Sequence, residues 1–284
     1  MNRRTFLLRG SGALLGVTPF ATVGYTLGIE PHWLEIVERD LPVASLPPEL
    51  VGKTLAQISD IHIGPQVSDE YLAESMLRIR GMSPDIVVYT GDFLTYVHSR
   101  GRSQFDQLRS VLSGAPKGAL GTYGVLGNHD YGRQWSEPDV AALVATEVER
   151  AGIQLLRNDV ATVQGLDIMG IDDLWAHRAD MVQSMTKRSS AAVIALCHNP
   201  DGLDVLDWSG FEGWVLAGHT HGGQCKPPFL PAPLLPVENR KYTSGEIVVD
   251  QQRTVYISRG VGHLLKARFN VRPEITMFTL RRAI

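Results

Sequence analysis

Residues 86–92 read Ile86-Val87-Val88-Tyr89-Thr90-Gly91-Asp92, five strand-forming residues that stop on a glycine and a lone carboxylate. A continuous apolar run of this length fits a strand buried on both faces of a parallel sheet. Gly91 lets the backbone pass close to whatever Asp92 holds, with no Cβ in the way. The same arrangement, a strand and then a polar turn, recurs four times. Residues 54–59 lead into Asp60-Ile61-His62, and residues 122–126 into Gly127-Asn128-His129-Asp130. Residues 192–196 lead into Cys197-His198-Asn199, and residues 214–217 into Gly218-His219-Thr220-His221. Strands that end in Asp, Asn or His at one edge of a sheet gather those side chains into a cage for divalent cations.

Around these motifs the chain alternates strand and helix signals. Residues 32–38 alternate like a half-exposed first strand. Ser68 reads as an N-cap followed by Asp69 and Glu70, with Leu72, Met76 and Ile79 on one face and Gly81 and Pro84 closing the helix. A second helix is expected near residues 104–112. Ser136 with Asp139 reads as a capping box for a third, whose inner face carries Val140, Leu143, Val144 and Val148 and which Gly152 ends. Residues 153–156, 161–163 and 166–171 read as a meander, followed by a helix near 178–187. Strands at 245–249, 254–258 and 275–280 close the chain. Repeated βα units followed by strands imply the α/β class, as a four-layer α-β-β-α sandwich of two mixed sheets with helices outside. No linker or internal repeat interrupts residues 30–284, which are expected to form one domain.

Composition is that of an ordinary globular protein, with 44% apolar and 20% charged residues. The formal net charge is −3, and the first 29 residues hold three arginines and no acid, so the remainder carries −6. An acidic body is a poor polyanion binder, and nucleic acid is not expected as a partner. The two cysteines, Cys197 and Cys225, lie beside motif residues and read as buried thiols in preference to a disulfide.

Residues 1–29 read as a targeting segment. Asn2-Arg3-Arg4-Thr5-Phe6-Leu7 opens it, and no charge occurs from Gly10 to Ile29. The paired arginines before Phe-Leu resemble a twin-arginine signal, from which Asn2 and Leu8 depart at their positions. The uncharged stretch of roughly 20 residues is long enough to span a bilayer. The expectation is export to the periplasmic or extracytoplasmic face of the inner membrane, with the segment either cleaved or kept as an anchor.

The five motifs ask for a particular chemistry. Two divalent ions about 3.5–4 Å apart clamp the oxygens of an in-line phosphoryl displacement. Such a pair needs a bridging carboxylate, and Asp92 is the candidate. Asp60, His62 and one of His219 and His221 would surround one ion, while Asn128, His198 and the other histidine would surround the second. In extended backbone His219 and His221 share a face and so reach neighbouring ions. Mixed imidazole and oxygen donors fit Mn, Fe or Zn and not calcium. A water between the ions would be acidified toward neutral pH. His129, next to Asn128, is placed to stabilise phosphoryl oxygens and protonate the leaving group, with Asp130 orienting its imidazole by a hydrogen bond.

The ordered set Asp-x-His, Gly-Asp, Gly-Asn-His-Asp, His and Gly-His-x-His resembles the calcineurin-like metallophosphoesterase superfamily. By that resemblance Asp60, His62, Asp92 and His221 bind the first ion, Asp92, Asn128, His198 and His219 bind the second, and His129 assists catalysis. Three further stretches resemble the bacterial branch of twin-arginine or membrane-anchored phosphodiesterases: His221-Gly222-Gly223-Gln224, Arg240-Lys241-Tyr242-Thr243-Ser244-Gly245 and Arg268-Phe269-Asn270-Val271-Arg272-Pro273-Glu274-Ile275. The resemblance implies a dinuclear metal-dependent phosphoesterase acting on a small phosphoester or lipid-linked phosphate. Its alternative is hydrolysis of the pyrophosphate of UDP-2,3-diacylglucosamine.

Four features lie outside the motifs. His98 reads as an exposed loop histidine. His263 sits among Gly260 and Gly262, which suggest a close backbone approach to the metal site. Arg268 and Arg272 alternate on a late strand, as phosphate contacts or as paired surface charges. The proline-stiffened stretch 227–236 reads as a lid packed on the body, with a wall for an acyl chain or a surface that leans on the membrane as the functional alternatives.

Overall fold

The computed structural model describes residues 21–283. Arg3 and Arg4 lie outside them, and among the described residues no helix is long and apolar enough to cross a membrane. One sheet contains β1 (Glu35–Val43), β2 (Thr54–Ile58), β3 (Ile86–Thr90), β4 (Gly121–Val125) and β5 (Gln154–Leu155). The other contains β6 (Asp159–Val163), β7 (Leu166–Ile171), β8 (Ala192–Cys197), β9 (Gly213–Ala217), β10 (Gly245–Val248) and β11 (Arg253–Ile257). The last strand, β12 (Glu274–Arg282), returns to the first sheet and pairs antiparallel with β2 and parallel with β1. The sheet orders are β1-β12-β2-β3-β4-β5 and β10-β11-β9-β8-β7-β6.

β3 illustrates how the sequence builds the layers. Its successive side chains point to opposite faces, so Ile86 and Val88 enter the core between the sheets while Val87 and Tyr89 face the helices. The inter-sheet core joins Leu55, Ile86, Val88 and Val125 to Ile168, Ile194, Leu196 and Leu216. The helices α1 (Asp69–Met82), α2 (Ser103–Leu112) and α3 (Pro138–Arg150) cover the first sheet through Leu72, Met76, Ile79, Leu108 and Val144. On the second sheet, α4 (Met181–Thr186), Trp208 and Phe211 cover Met169, Val193, Val215 and Ile257. The expected α-β-β-α order is what forms.

Local expectations fared unevenly. Ser68 caps α1, its hydroxyl accepting from the Tyr71 N–H at 3.1 Å, and the helix ends on Ser83 in the left-handed region. The capping box at Ser136 does not form. The third helix starts at Pro138, which has no N–H to satisfy, and Glu137 precedes it without a side-chain cap. Nor do residues 153–171 make a meander. β5 pairs parallel with β4 in the first sheet, and only β6 and β7 form a hairpin, in the second. The chain crosses between sheets after Leu156, whose N–H is held by the Gly124 carbonyl.

Strands β2, β3 and β4 run parallel side by side in one sheet, as do β7, β8, β9 and β11 in the other. Their carboxyl ends therefore share an edge, where open α/β sheets place ligands. Gln57 joins the sheets there, donating to Thr90 Oγ1 at 3.1 Å and to the Ala217 carbonyl at 2.9 Å.

Candidate metal centre

All seven expected ligands converge at that edge. Asp60, His62, Asp92, Asn128, His198, His219 and His221 are each buried. Two groups of donors form. In the first, His62 Nε2 lies 2.9 Å from His221 Nε2, and these nitrogens are 3.9 and 3.3 Å from Asp60 Oδ1. In the second, His198 Nε2 is 3.2 Å from Asp92 Oδ2, 3.2 Å from Asn128 Oδ1 and 3.3 Å from His219 Nδ1. Donors held about 2.1 Å from one ion sit roughly 3–3.5 Å apart; the second group and the His221–Asp60 pair have that spacing, while His62 stands wider of Asp60, at 3.9 Å. Asp92 Oδ2 is also 3.6 Å from His62 Nε2, which sets this single oxygen between the two groups. Asn128 Nδ2 is buried without a hydrogen-bond partner, leaving a donor to be met from outside the protein.

The outer ring nitrogens are fixed by other groups. His198 Nδ1 donates to the Thr90 carbonyl at 2.7 Å, and His219 Nε2 to the Pro236 carbonyl at 2.8 Å. His62 Nδ1 meets Thr95 Oγ1 at 2.9 Å. These bonds turn the remaining nitrogen of each ring toward the cage. Burial keeps three histidines neutral, with His62 and His219 lowered to about 3 and His221 pushed well below its ordinary value. His198 behaves oppositely. Burial alone would lower it, but the carboxylates of Asp92, Asp60 and Asp173 outweigh that and hold it at about 10. Burial also lifts Asp60 to about 7, against the pull of His198.

Backbone strain concentrates here. Asp60, His62, Asp92, His219 and His221 all have φ between 49° and 70°, the left-handed region that side chains with a Cβ avoid. Residues held so cost of order 1–3 kcal/mol each and cluster at functional sites. This corrects the reasoning about His219 and His221. They do not alternate along extended backbone; a tight turn after β9 sends His219 to the Asp92 group and His221 to the Asp60 group. Gly218 is required, because a Cβ there would lie 2.3 Å from Asp60 Oδ2.

Two further expectations are corrected. Asp130 does not hold the His129 ring. Its oxygens accept from the Leu94 N–H at 3.0 Å and the Gly127 N–H at 2.9 Å, so it staples the turns that carry Asp92 and Asn128. A carboxylate so deep, lifted by burial to about 8, finds backbone donors nearer than the imidazole. His129 itself is half-buried and packs edge-on against His62, ring centres 5.1 Å apart, while its N–H donates to Asp92 Oδ1. Arg268 is neither a surface charge nor a phosphate contact. It lies in a loop, fully buried, and donates to the carbonyls of Arg259, Gly260, Gly262 and Val271. Burial lowers its pKa to about 10, so it stays charged, and its Nη2 is 3.4 Å from His221 Nδ1. Arg268 thereby holds the 260–262 loop against the first ligand; a Cβ on Gly260 would sit 2.7 Å from Asp60 Cβ. Arg268→Met would leave several buried carbonyls short of a donor and is expected to cost about 3 kcal/mol, read as a lower denaturation midpoint with an unchanged slope.

Elsewhere the readings hold or shift slightly. His98 is exposed, and Arg272 lies over the Trp33 ring at 4.4 Å. Cys197 is a buried free thiol and Cys225 a half-buried one. The sequence reading missed Trp175, whose ring meets His219 edge-on at 4.5 Å, and Asp173, which is buried with Oδ2 unpartnered. Both follow β7, at the sheet edge that carries the motifs. An acid pair directly after that strand was the available signal.

Two adjacent cages of imidazole and carboxylate donors, joined by one aspartate at the carboxyl edge of two packed sheets, define a dinuclear metal hydrolase. The family model described as Calcineurin-like phosphoesterase matches residues 53–223, and the chain belongs to that family. It is 32% identical to the uncharacterized metallophosphoesterase YkuE of Bacillus subtilis (strain 168), over 99% of this chain and 98% of that protein. It is 28% identical to the phosphodiesterase YaeI of Escherichia coli (strain K12), over 99% of each. Lower identity, 26%, links it to the UDP-2,3-diacylglucosamine pyrophosphatase LpxG of Chlamydia muridarum, over 87% of this chain and 89% of that one. The chain is a metal-dependent phosphoester hydrolase.

Proposed function

We propose that Asp60, His62, His221 and Asp92 hold one ion and that Asp92, Asn128, His198 and His219 hold the other, as a phosphodiesterase centre. The observation that carries this reading is the place of Asp92 Oδ2, 3.6 Å from His62 and 3.2 Å from His198. The donor set favours Mn, Fe or Zn. Bound there, such ions would supply Lewis acidity toward phosphoryl oxygens and acidify a water molecule.

The chain's own groups do the rest. Asp60 and Asp92 provide the negative charge that draws cations into a buried site. Thr90, Thr95 and Pro236 fix the imidazole tautomers. His129 lies over the cage, where its ring can carry a proton to the leaving oxygen. Asp130 holds the turn that puts it there. His129→Ala is expected to lower kcat on bis(p-nitrophenyl) phosphate with Mn²⁺ by about 10²-fold while leaving metal content unchanged. Unaltered turnover in that variant would remove His129 from the mechanism.

Resemblance to the phosphodiesterase YaeI along nearly the whole chain supports the phosphodiesterase reading over the pyrophosphatase alternative, whose LpxG relative is less similar. Residues 1–29 are assigned to a twin-arginine-like export or anchoring segment and residues 30–284 to one catalytic domain on the extracytoplasmic side. The basic start and the uncharged stretch to Ile29 support that placement. Fractionation of cells carrying the full chain, beside an Arg3→Lys, Arg4→Lys variant, tests it. Equal export of both would reject the twin-arginine route.

A further inference from the structure

The segment at residues 227–236 has a feature that metal chemistry does not require. It is tied to the body by buried Ala232 and by the Pro236 carbonyl that accepts from His219. Yet it is no packed lid, because Phe229, Leu230 and Leu234 stand exposed. Between this segment and the loop bearing Leu264 and Leu265 lies a cavity of about 420 Å³. Its floor is His219 and His221, and its walls include Leu234, Leu235, Leu264 and Leu265. No charged side chain lines it. A pocket for a sugar or nucleotide sets free polar groups among its walls to fix orientation; here the polar lining residues Thr220, Gln224 and Cys225 are bonded to the protein's own backbone, and the leucines, Pro236 and Ala267 make the rest of the walls.

A second observation comes from the opposite end of the sequence. Residues 25–30 dock on the loop that forms one of these walls. The Tyr25 ring meets Phe269 edge-on, the Arg268 N–H donates to the Thr26 carbonyl at 3.0 Å, and the Glu30 carboxylate accepts from the N–H groups of Asn270 and Val271. Val23, Leu27 and Ile29 remain exposed, as does Leu265. The apolar N-terminal segment thus meets the body beside this cavity, where further apolar side chains face outward.

We propose that the cavity receives one acyl chain of a lipid phosphoester substrate, whose phosphate lies over the metal cage. This rests on the phosphoesterase reading above. At about 30 Å³ per water-sized group, the space of about 420 Å³ suits an aliphatic chain of about fourteen carbons. The chain would leave the phosphate past His219 and His221 and run between the leucine walls.

The test uses the full chain loaded with Mn²⁺ and alkyl p-nitrophenyl phosphodiesters from methyl to hexadecyl, kept below their micelle concentrations. The expected result is a kcat/KM that rises about fourfold per added methylene and levels off once the cavity is filled. Leu235→Trp, which fills the space, and Leu265→Asp should each flatten that rise and leave the methyl ester unaffected. Calorimetric binding of dodecyl phosphate against methyl phosphate reads the same cavity without turnover. If the esters react equally and both phosphates bind equally, the acyl site is refuted while the phosphoesterase stands. A length dependence that survives both variants also refutes it. If no diester is hydrolysed but dodecyl phosphate still binds more tightly, the acyl site stands and the catalytic reading falls.

Discussion

Asp92→Asn should abolish phosphodiester hydrolysis, lowering kcat by about 10³-fold or more, and should do so without unfolding the protein. Asp92 is the one residue shared by both donor groups, with Oδ2 between His62 and His198 and Oδ1 accepting from the His129 N–H at 2.9 Å. Asparagine has nearly the same shape, so it preserves the turn and can still accept that N–H. It lacks the charge that lets one oxygen face two cations. The expected metal content falls from two ions per chain to one or none, measured by elemental analysis beside an unchanged circular dichroism spectrum. Full occupancy with wild-type turnover would show that the two groups do not act as a pair.

Metal uptake should depend steeply on pH. In the metal-free protein His198 is held at about 10 and Asp60 at about 7. Both must lose a proton to become donors. Below pH 7 two protons compete with the ions, and between pH 7 and 10 only the His198 proton does. The logarithm of the apparent affinity should therefore rise by about two per pH unit below 7 and about one per unit above it. Titration of Mn²⁺ or Zn²⁺ into chelator-stripped protein at pH 6, 7 and 8, with proton release followed in weak buffer, checks the slope. His62, His219 and His221 contribute little to it, because burial already keeps them neutral. An affinity that does not change over this range would mean that His198 enters the centre without its proton.

The metal donors were legible in the sequence because each directly follows an apolar strand. Ile86–Thr90 announces burial on both faces by itself, and Asp92 comes after it with nothing between but a glycine. Order along the chain then did the work that distance does in space. What stayed hidden was anything set by a turn's path and not by the strand before it. Asp130 looked like a partner for its neighbour His129, but at full burial it bonds the nearest backbone N–H groups, on Leu94 and Gly127. Arg268 looked like an exposed cation, since arginine is so rarely buried. Only the approach of four carbonyls makes its interior position tolerable. β5 is two residues long, too short for any periodicity, so the crossing from one sheet to the other could not be read.

The clamp on Asp60 by Gly218 and by the 260–262 loop also sets the order in which the protein can mature. Asp60 emerges early in synthesis, but the backbone that pins it, Gly262 N–H on its carbonyl and His219 N–H on its carboxylate, arrives some 160 to 200 residues later. A nascent polypeptide still on the ribosome holds the early donors without the late ones. A chain clipped before residue 260 would keep all seven donors yet lose the loop that pins Asp60, and with β12 the strand that joins β1 to the rest of the first sheet.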